Sequence, residues 1–505
     1  MTWKIVLHRQ SVKLPDCRRR NQRRHPPSPP SLPSSSLTPP QSNMRLRHIP
    51  LPSRYSHWPP YSLACRVQFY LRRALLDWKD IPPAASSKPA PPPDSSPEPE
   101  EDSSLPPPPD GLTPESAPAW EQLITSAEEE YRFKAQQKAE RLRPKPKPWP
   151  EVHGKPPPPL PTVISFTPRP VYTLGRRQHD TPLSSDEVQR LKQPLFCPPW
   201  TVNPKQHGNP AWVVPDIVQA PRGGLMTYHG PGQIVLWPVM DLKGPGHNHF
   251  TVRCYARLLE NTTIGLLKKL WDVEAITTED PGVWVKSPRF VSGRPRVAHS
   301  RPELAKIAAL GVHLRRNVTG LGTALNVRFW SARDISRHLR TNLAQHPPSD
   351  QPVDLTLLYD PWSRFTPCGL ENKAVTSLRG TLYPPDTIRA GLLKGGYDTA
   401  ADHAERNVAI AWCDEFAARI GLPDITVETV DMQEVVRMLG FLVGEAEEKL
   451  EKGDWMGAVP VEGMGEEGWN EEKVREMVER ERKYVTRFEG VYLGRGWLPD
   501  EAPRT

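Results

Sequence analysis

The sequence predicts an α+β fold, a mixed sheet with flanking helices, embedded in segments that carry no core. Three observations lead there. First, the chain of 505 residues holds 63 prolines and only 37% hydrophobic residues, and the prolines crowd residues 26–60 and 82–161. Such segments cannot bury enough apolar surface to offset their ordering entropy, so they read as disordered or polyproline-like spacers. Second, from residue 162 short β-like runs follow one another with little helix between them, which argues against repeated βαβ units. Third, two stretches, 61–80 and 250–271, place apolar residues at helical spacing.

Taken in order, "LRHIPL" opens at residue 46 as a short strand, and "YSLACRVQFYLRRALLDWKD" follows as a helix. The proline-rich insert, 82–160, encloses one charged helical stretch, "PAWEQLITSAEEEYRFKAQQKAERLR". "TVISFTPRPVYTLGRR" is β-rich, "PAWVVPDIVQAPRGG" supplies another strand, and "GQIVLWPVMDL" a further one with the look of a buried strand. After the helix "FTVRCYARLLENTTIGLLKKLW", strands are expected in "EAITTEDPGVWVK", "ELAKIAALGVHLRRNVT", "GTALNVRFW" and "DLTLLYDPW". The helix "TAADHAERNVAIAWCDEFAARIG" closes the domain, and 422–505 reads as an acidic, charge-rich helical tail. The domain boundaries expected are therefore 1–43, 44–421 with its insert, and 422–505.

The net charge is +8, and in the first 75 residues Asp16 is the one acidic side chain. Residues 1–43, Arg-rich, Ser-rich and acid-poor, have the composition of a mitochondrial presequence. Met44 is either a second start or the lead-in to the first strand. The competing reading is a basic tail that touches nucleic acid or nothing at all; it lacks interleaved aromatics and no nucleic-acid motif follows it. No stretch reaches the ~18 apolar residues of a membrane span. The six cysteines, at 17, 65, 197, 254, 368 and 413, show no zinc-type spacing, so thiols without a structural metal are expected.

Three stretches carry candidate chemistry. In "PRGGLMTYHGPGQIVLWPVMDL", residues 221–242, glycines surround Tyr228 and His229, which reads either as backbone lying close to a ligand or as a tight connection between strands. "VTGLGTALNV" fails as a dinucleotide fingerprint because Leu325 stands where a small residue is needed, and there is no phosphate-binding loop. In "YDPWSRFTPCGLENKAVTSL", Cys368 lies between Pro367 and Gly369, either a buried small hydrophobe or a thiol presented on a sharp turn. In "ELAKIAALGVHL", Lys306 interrupts an apolar run. It either faces solvent at a strand edge or lines a cleft beside a group that needs a cation, and a thiolate is such a group.

Together "RGGLMTYHGPGQIVLWPVMDL", "KIAALGV", "GTALNV" and "FTPCGLENKAVTSL", in that order, resemble the lipoyl(octanoyl) transferases, and "TPRPVYTLGR" fits that family's early strand. The resemblance covers about 44–81 and 160–420. It implies the catalytic fold of biotin and lipoate protein ligases, class II synthetase-like. It also implies a reaction in mitochondria, in the matrix: octanoyl passes from octanoyl-acyl carrier protein to a cysteine thioester, then to a lysine of lipoyl domains. Those domains would belong to the glycine cleavage H protein and the 2-oxoacid dehydrogenase E2 subunits. No cofactor, metal, nucleic acid or membrane takes part.

By that resemblance Cys368 is the nucleophile and Lys306 its activator. The acyl pocket maps onto Arg222, Gly223, Gly224, Leu225, Met226, Thr227, Tyr228 and His229, with Ala309, Leu310 and Gly311, and with Gly322, Thr323 and Ala324. The glycines are expected to make room for a hydrocarbon. Leu321 stands where many relatives carry histidine. The alternatives are an ATP-dependent lipoate or biotin ligase on the same fold, or a non-catalytic binder of the same partners. Arg176, Arg177, Arg315 and Arg316 are expected to attract an acidic carrier protein.

Overall fold

The computed structural model describes residues 45–53, 57–82, 156–178, 181–197, 211–286, 304–329, 355–365, 374–382, 387–396, 404–422, 426–460, 464 and 468–494. The basic leader with Cys17 and Met44, the charged helix expected at 118–143, and Cys368 lie outside them.

The main sheet is mixed. Its strands are β1 (Leu46–Pro50), β2 (Thr162–Phe166), β8 (Gln233–Val239), β9 (Ala275–Ile276), β10 (Val283–Lys286), β11 (Leu304–Arg315), β12 (Val318–Asn326), β13 (Ala374–Val375) and β14 (Val427–Thr429). They run in the order β14-β1-β2-β8-β12-β11-β10-β9, with β13 pairing on β11. The β14–β1, β1–β2 and β11–β13 pairs are parallel; the pairs from β2 through β8, β12, β11 and β10 to β9 are antiparallel. This is the α+β mixed sheet that the sequence predicts. Every residue of β2 and β8 is buried, as central strands covered on both faces must be, which is why they read as apolar runs rather than alternations. Arg316 and Asn317, with φ of 50° and 66°, turn β11 into β12. Positive φ at both central residues fits the right-handed twist of the flanking strands.

Helices cover both faces. On one side α1 (Tyr61–Asp80) packs with α8 (Met432–Glu451) and α9 (Glu471–Leu493) in a single apolar cluster that includes Ile164, Val235 and Trp237. On the other, α3 (Val252–Trp271) and α7 (Ala404–Ile420) enclose Leu236, Ile307 and Leu325. Thr251 caps α3 by accepting from the Cys254 N–H, and Asp272, at φ 53°, ends it. The C-terminal segment thus joins the first face: β14 extends the sheet beside β1, and Arg66 of α1 meets Glu481 of α9 at 2.6 Å, the carboxylate fully buried.

A second sheet has three strands, β6 (Asp216–Gln219), β3 (Val171–Leu174) and β7 (Met226–His229). "PAWVVPDIVQ" is not one strand. It splits at Pro215 into β5 (Ala211–Val213), paired with β4 (Leu195–Cys197), and β6 in the three-stranded sheet. Short helices α2 (Ser185–Leu191), α5 (Leu378–Thr381) and α6 (Thr387–Lys394) complete the described elements.

"DLTLLYDPW", expected as a strand, is instead helix α4 (Leu355–Tyr359) followed by a 3-10 turn, Pro361–Arg364. The Asp360 carboxylate accepts from the Trp362 N–H at 3.0 Å and fixes that turn. A five-residue apolar run is too short for its period to separate helix from strand, and burying Leu358 and Tyr359 against Phe196 decides it.

Candidate active site

Strand β7 decides which residues of the glycine-rich stretch can reach a ligand. Side chains alternate across a strand, so Thr227 and His229 face a cavity while Met226 and Tyr228 turn into a separate cluster with Tyr172, Leu195 and Trp362. Met226 and Tyr228, expected in the pocket, are therefore core residues behind it. Of the other residues singled out, Arg222, Gly223, Gly224, Leu225, Ala309, Leu310, Gly311, Gly322, Thr323 and Ala324 line the cavity, and so does Lys306. Its volume is about 630 Å³, within the ~300–1,000 Å³ range of sites that enclose a small ligand. The apolar wall comes from Leu225, Val235, Trp237, Leu310, Val312 and Leu321.

The glycines, expected to make room for a hydrocarbon, do not all border open space. A Cβ on Gly223 would meet nothing within 4 Å, so that position opens on free space, and Gly224 adopts φ +82° to turn the loop. Gly311 and Gly322 lie directly opposite each other on β11 and β12, and their missing side chains admit protein. A Cβ on Gly311 would stand 2.7 Å from Cδ of Arg222, and one on Gly322 would stand 2.2 Å from the Leu236 carbonyl. The Arg222 stem crosses the hairpin there, while its guanidinium donates to the Leu225 carbonyl at 2.8 Å and the Thr173 carbonyl at 2.6 Å. Arg222 clamps the loop onto β3.

Lys306 lies on β11 between β10 and β13, opposite Trp284 on one side and Val375 on the other, and is 8% exposed. It lines a cleft; it is not at a solvent edge. Its ammonium donates to the Pro281 carbonyl at 3.1 Å and sits 4.7 Å from the Trp284 ring centroid, a cation–π arrangement of about 0.5–2 kcal/mol. Glu260, on α3, also lines the cavity and accepts from the Gly282 N–H at 2.9 Å. Burial raises its carboxyl, and the Gly282 N–H, Arg257 and Lys306 pull it back down. The chain returns from the residues around 368 as β13, where Ala374 pairs with Ala305 and the Thr376 N–H donates to the Lys306 carbonyl at 2.9 Å.

His229 is stacked on Tyr61 of α1, ring centroids 6.2 Å apart. Its Nδ1 lies 2.7 Å from Oε1 of Gln233. Burial, with Arg222 nearby, pushes its pKa down to about 4 against the pull of the Gln233 hydrogen bond, so the ring is neutral. Leu321 lines the pocket at φ 59°, with its N–H donating to the Gln68 side chain at 2.5 Å. A non-glycine residue held there stores on the order of 1–3 kcal/mol. Among the expected docking arginines, Arg177 lines the cavity and Arg316 is engaged by Asp80 at 2.6 Å.

Sequence reasoning missed Tyr61, Trp237 and Glu260. Glu260 left a signal, an acid on the apolar face of α3 beside Leu259 and Thr263. Tyr61 and Trp237 left none, since strand and helix packing bring them to the cavity from distant positions.

Residues 153–353 match the family model described as the lipoyl protein ligase A/B catalytic domain. The mitochondrial octanoyltransferase of Saccharomyces cerevisiae is 33% identical over 229 residues, 44% of this chain and 53% of that protein. The chain thus spans about half the length of that relative. The mitochondrial octanoyl-acyl-carrier-protein:protein N-octanoyltransferase LIPT2 of Danio rerio is 30% identical over 237 residues, 46% of this chain and 74% of that one. The chain belongs to the octanoyltransferase family. Among solved structures, a bipartite lipoate protein ligase from Thermoplasma acidophilum aligns at TM-score 0.31 and 12% identity, over 62% of this chain and 87% of that one. The match to the lipoyl protein ligase A/B catalytic domain contains Lys306 and the cavity-lining residues other than Tyr61, and ends before Cys368.

Proposed function

We propose that the protein moves an octanoyl group from octanoyl-acyl carrier protein to a lysine of lipoyl domains, through a thioester on Cys368. The observation that carries the reading is a buried ammonium, Lys306, set in the wall of an apolar cavity. It lies beside the strand on which the chain emerges from the Cys368 stretch. Ala374 follows Cys368 by six residues, and its partner Ala305 is next to Lys306. That span is short enough for the two groups to meet.

In this scheme Lys306 stabilises the Cys368 thiolate, which is the nucleophile. The thiolate attacks the acyl carrier protein thioester, a C–S bond forms, and the carrier's sulfur leaves and takes up a proton. The acyl chain lies against Leu225, Val235, Leu310 and Val312, while the carbonyl stays near Lys306. A lysine amine then attacks the new thioester, and the amide is released with the cysteine regenerated. Thioester exchange is nearly balanced and the amide lies downhill of both thioesters, so no nucleotide or metal is required. Chain-length selection by such a wall is modest, ~1–3 kcal/mol per methylene.

The mitochondrial names of the yeast and fish relatives, with the basic leader, support a mitochondrial matrix location and a transit peptide over residues 1–43. The acceptors fitting this reaction are the lipoyl domains of the glycine cleavage H protein and the 2-oxoacid dehydrogenase E2 subunits. We assign 44–421 to the catalytic domain; 422–505, expected as a separate helical tail, adds β14, α8 and α9 to the same sheet and core. Transfer from octanoyl-acyl carrier protein to a lipoyl domain, followed by intact mass, tests the reading. Octanoyl amide is expected without ATP and none with Cys368→Ala; strict ATP dependence or activity in that variant contradicts it.

A further inference from the structure

A buried chain of amides runs from His229 to the strand beside Lys306, and its direction is fixed from the far end. The Thr376 carbonyl can only accept, so the Asn326 atom 2.9 Å from it is the amide nitrogen. The Asn326 oxygen then accepts from the Gln233 amide nitrogen at 2.8 Å. That nitrogen also faces the Tyr228 carbonyl at 3.5 Å, a second group that only accepts. The Gln233 oxygen is left for His229, so Nδ1 of His229 must be the donor. The proton is on Nδ1, and Nε2 carries a bare lone pair. Among the described residues Nε2 has no hydrogen-bond partner, the side chain is 9% exposed, and it lines the cavity.

We propose that His229 takes the proton lost by the attacking lysine amine as the amide forms, with Gln233 and Asn326 as positioning residues that hold its ring in one tautomer. This rests on the reading above that an acyl thioester is aminolysed in the pocket. The amine nitrogen attacks the carbonyl carbon and the C–N bond forms. One N–H proton passes to Nε2, and the C–S electron pair leaves with sulfur. The imidazolium then returns that proton to the thiolate, so the cycle ends with a thiol, an amide and a neutral His229. The surroundings keep the ring neutral at the start. Tyr61 stacks on it from α1 and Arg222 lies beside it from the loop before β7. Gln233 on β8 and Asn326 on β12 are uncharged, and Lys306 on β11 faces the same cavity. A lone pair pre-set in this way accepts a proton without reorganisation.

The test separates the two half-reactions in the full chain. Acylation by octanoyl-acyl carrier protein and transfer from the isolated acyl-enzyme to a lipoyl domain are each followed by intact mass. His229→Asn keeps a donor for Gln233 but has no basic nitrogen. It is expected to slow the amide-forming step by ~10²-fold or more, the usual worth of a general base, and at least tenfold more than it slows acylation. Nitrogen-15 NMR of the wild type is expected to show His229 protonated at Nδ1 alone, a preference lost in Asn326→Leu. Equal slowing of both steps, or a proton found on Nε2, overturns the proposal. A wild type that forms no acyl-enzyme sinks the function reading and the proton role with it, while the NMR measurement still reports on the relay.

Discussion

The parallel edge of the sheet and the pocket each bury one histidine, and the surroundings use them in opposite ways. His48, on β1, has Nε2 at 2.7 Å from the Ser165 hydroxyl and Nδ1 at 3.3 Å from the Thr429 hydroxyl. Both partners are hydroxyls, which donate or accept as required, so both nitrogens are satisfied and neither tautomer is imposed. Burial, then Arg406, lowers its pKa to about 3. His229 is as neutral, yet among the described residues its one hydrogen-bond partner is an amide oxygen locked by two backbone carbonyls, and its second nitrogen is left to the cavity. The difference teaches that burial and a depressed pKa do not mark a chemical group. A directional partner on one nitrogen and an open lone pair on the other do.

The sharpest way to break the comparison is through the cation that shares the pocket. Lys306→Ala is expected to lower octanoyl transfer by ~10²–10⁴-fold, measured as single-turnover rate, with the far-ultraviolet circular dichroism unchanged. Retained transfer would make Lys306 a packing residue like His48. Next in size, His48→Leu leaves the Ser165 and Thr429 hydroxyls without their partner. It should cost about 1–3 kcal/mol in urea unfolding, while transfer by the folded protein stays within a few-fold. The smallest effect is on pH. Both histidines have folded pKa values, about 3 and about 4, below the ordinary 6.5. The unfolded chain therefore binds the extra protons. The contribution is full above about pH 6.5 and is lost as pH falls toward those folded values. From pH 8 to 6 the loss is about 1 kcal/mol per histidine, and His48→Gln should remove its share from the urea-midpoint profile without altering the pH profile of transfer.

Much of the site was legible because it lies on strands with strong local signals. The runs around Ile234 and Ile307 read as buried strands, and the lysine interrupting the second of them is what pointed to Lys306. The two-residue period also contained the correction for Met226 and Tyr228, since both stand one place from a pocket-facing neighbour. What stayed hidden was tertiary. The glycines at 311 and 322 are filled by Arg222 and by the strand carrying Leu236, which no local pattern announces. The relay from His229 through Gln233 and Asn326 to Thr376 joins residues up to 147 positions apart in the chain. Helices α8 and α9 read as a charged tail because their polar faces dominate composition, yet Val435, Leu439, Val478 and Phe488 pack into the cluster around α1. The 354–362 stretch was misread because its apolar run fits either period.

The most direct measurement is covalent. The full chain is mixed with octanoyl-loaded acyl carrier protein in the absence of any lipoyl domain, and its peptides are mapped by mass. One octanoyl group is expected on the peptide containing Cys368, removed by neutral hydroxylamine and slow to form in Lys306→Ala. An octanoyl group on another residue, or rapid turnover with no acyl-enzyme at any time, would contradict the account.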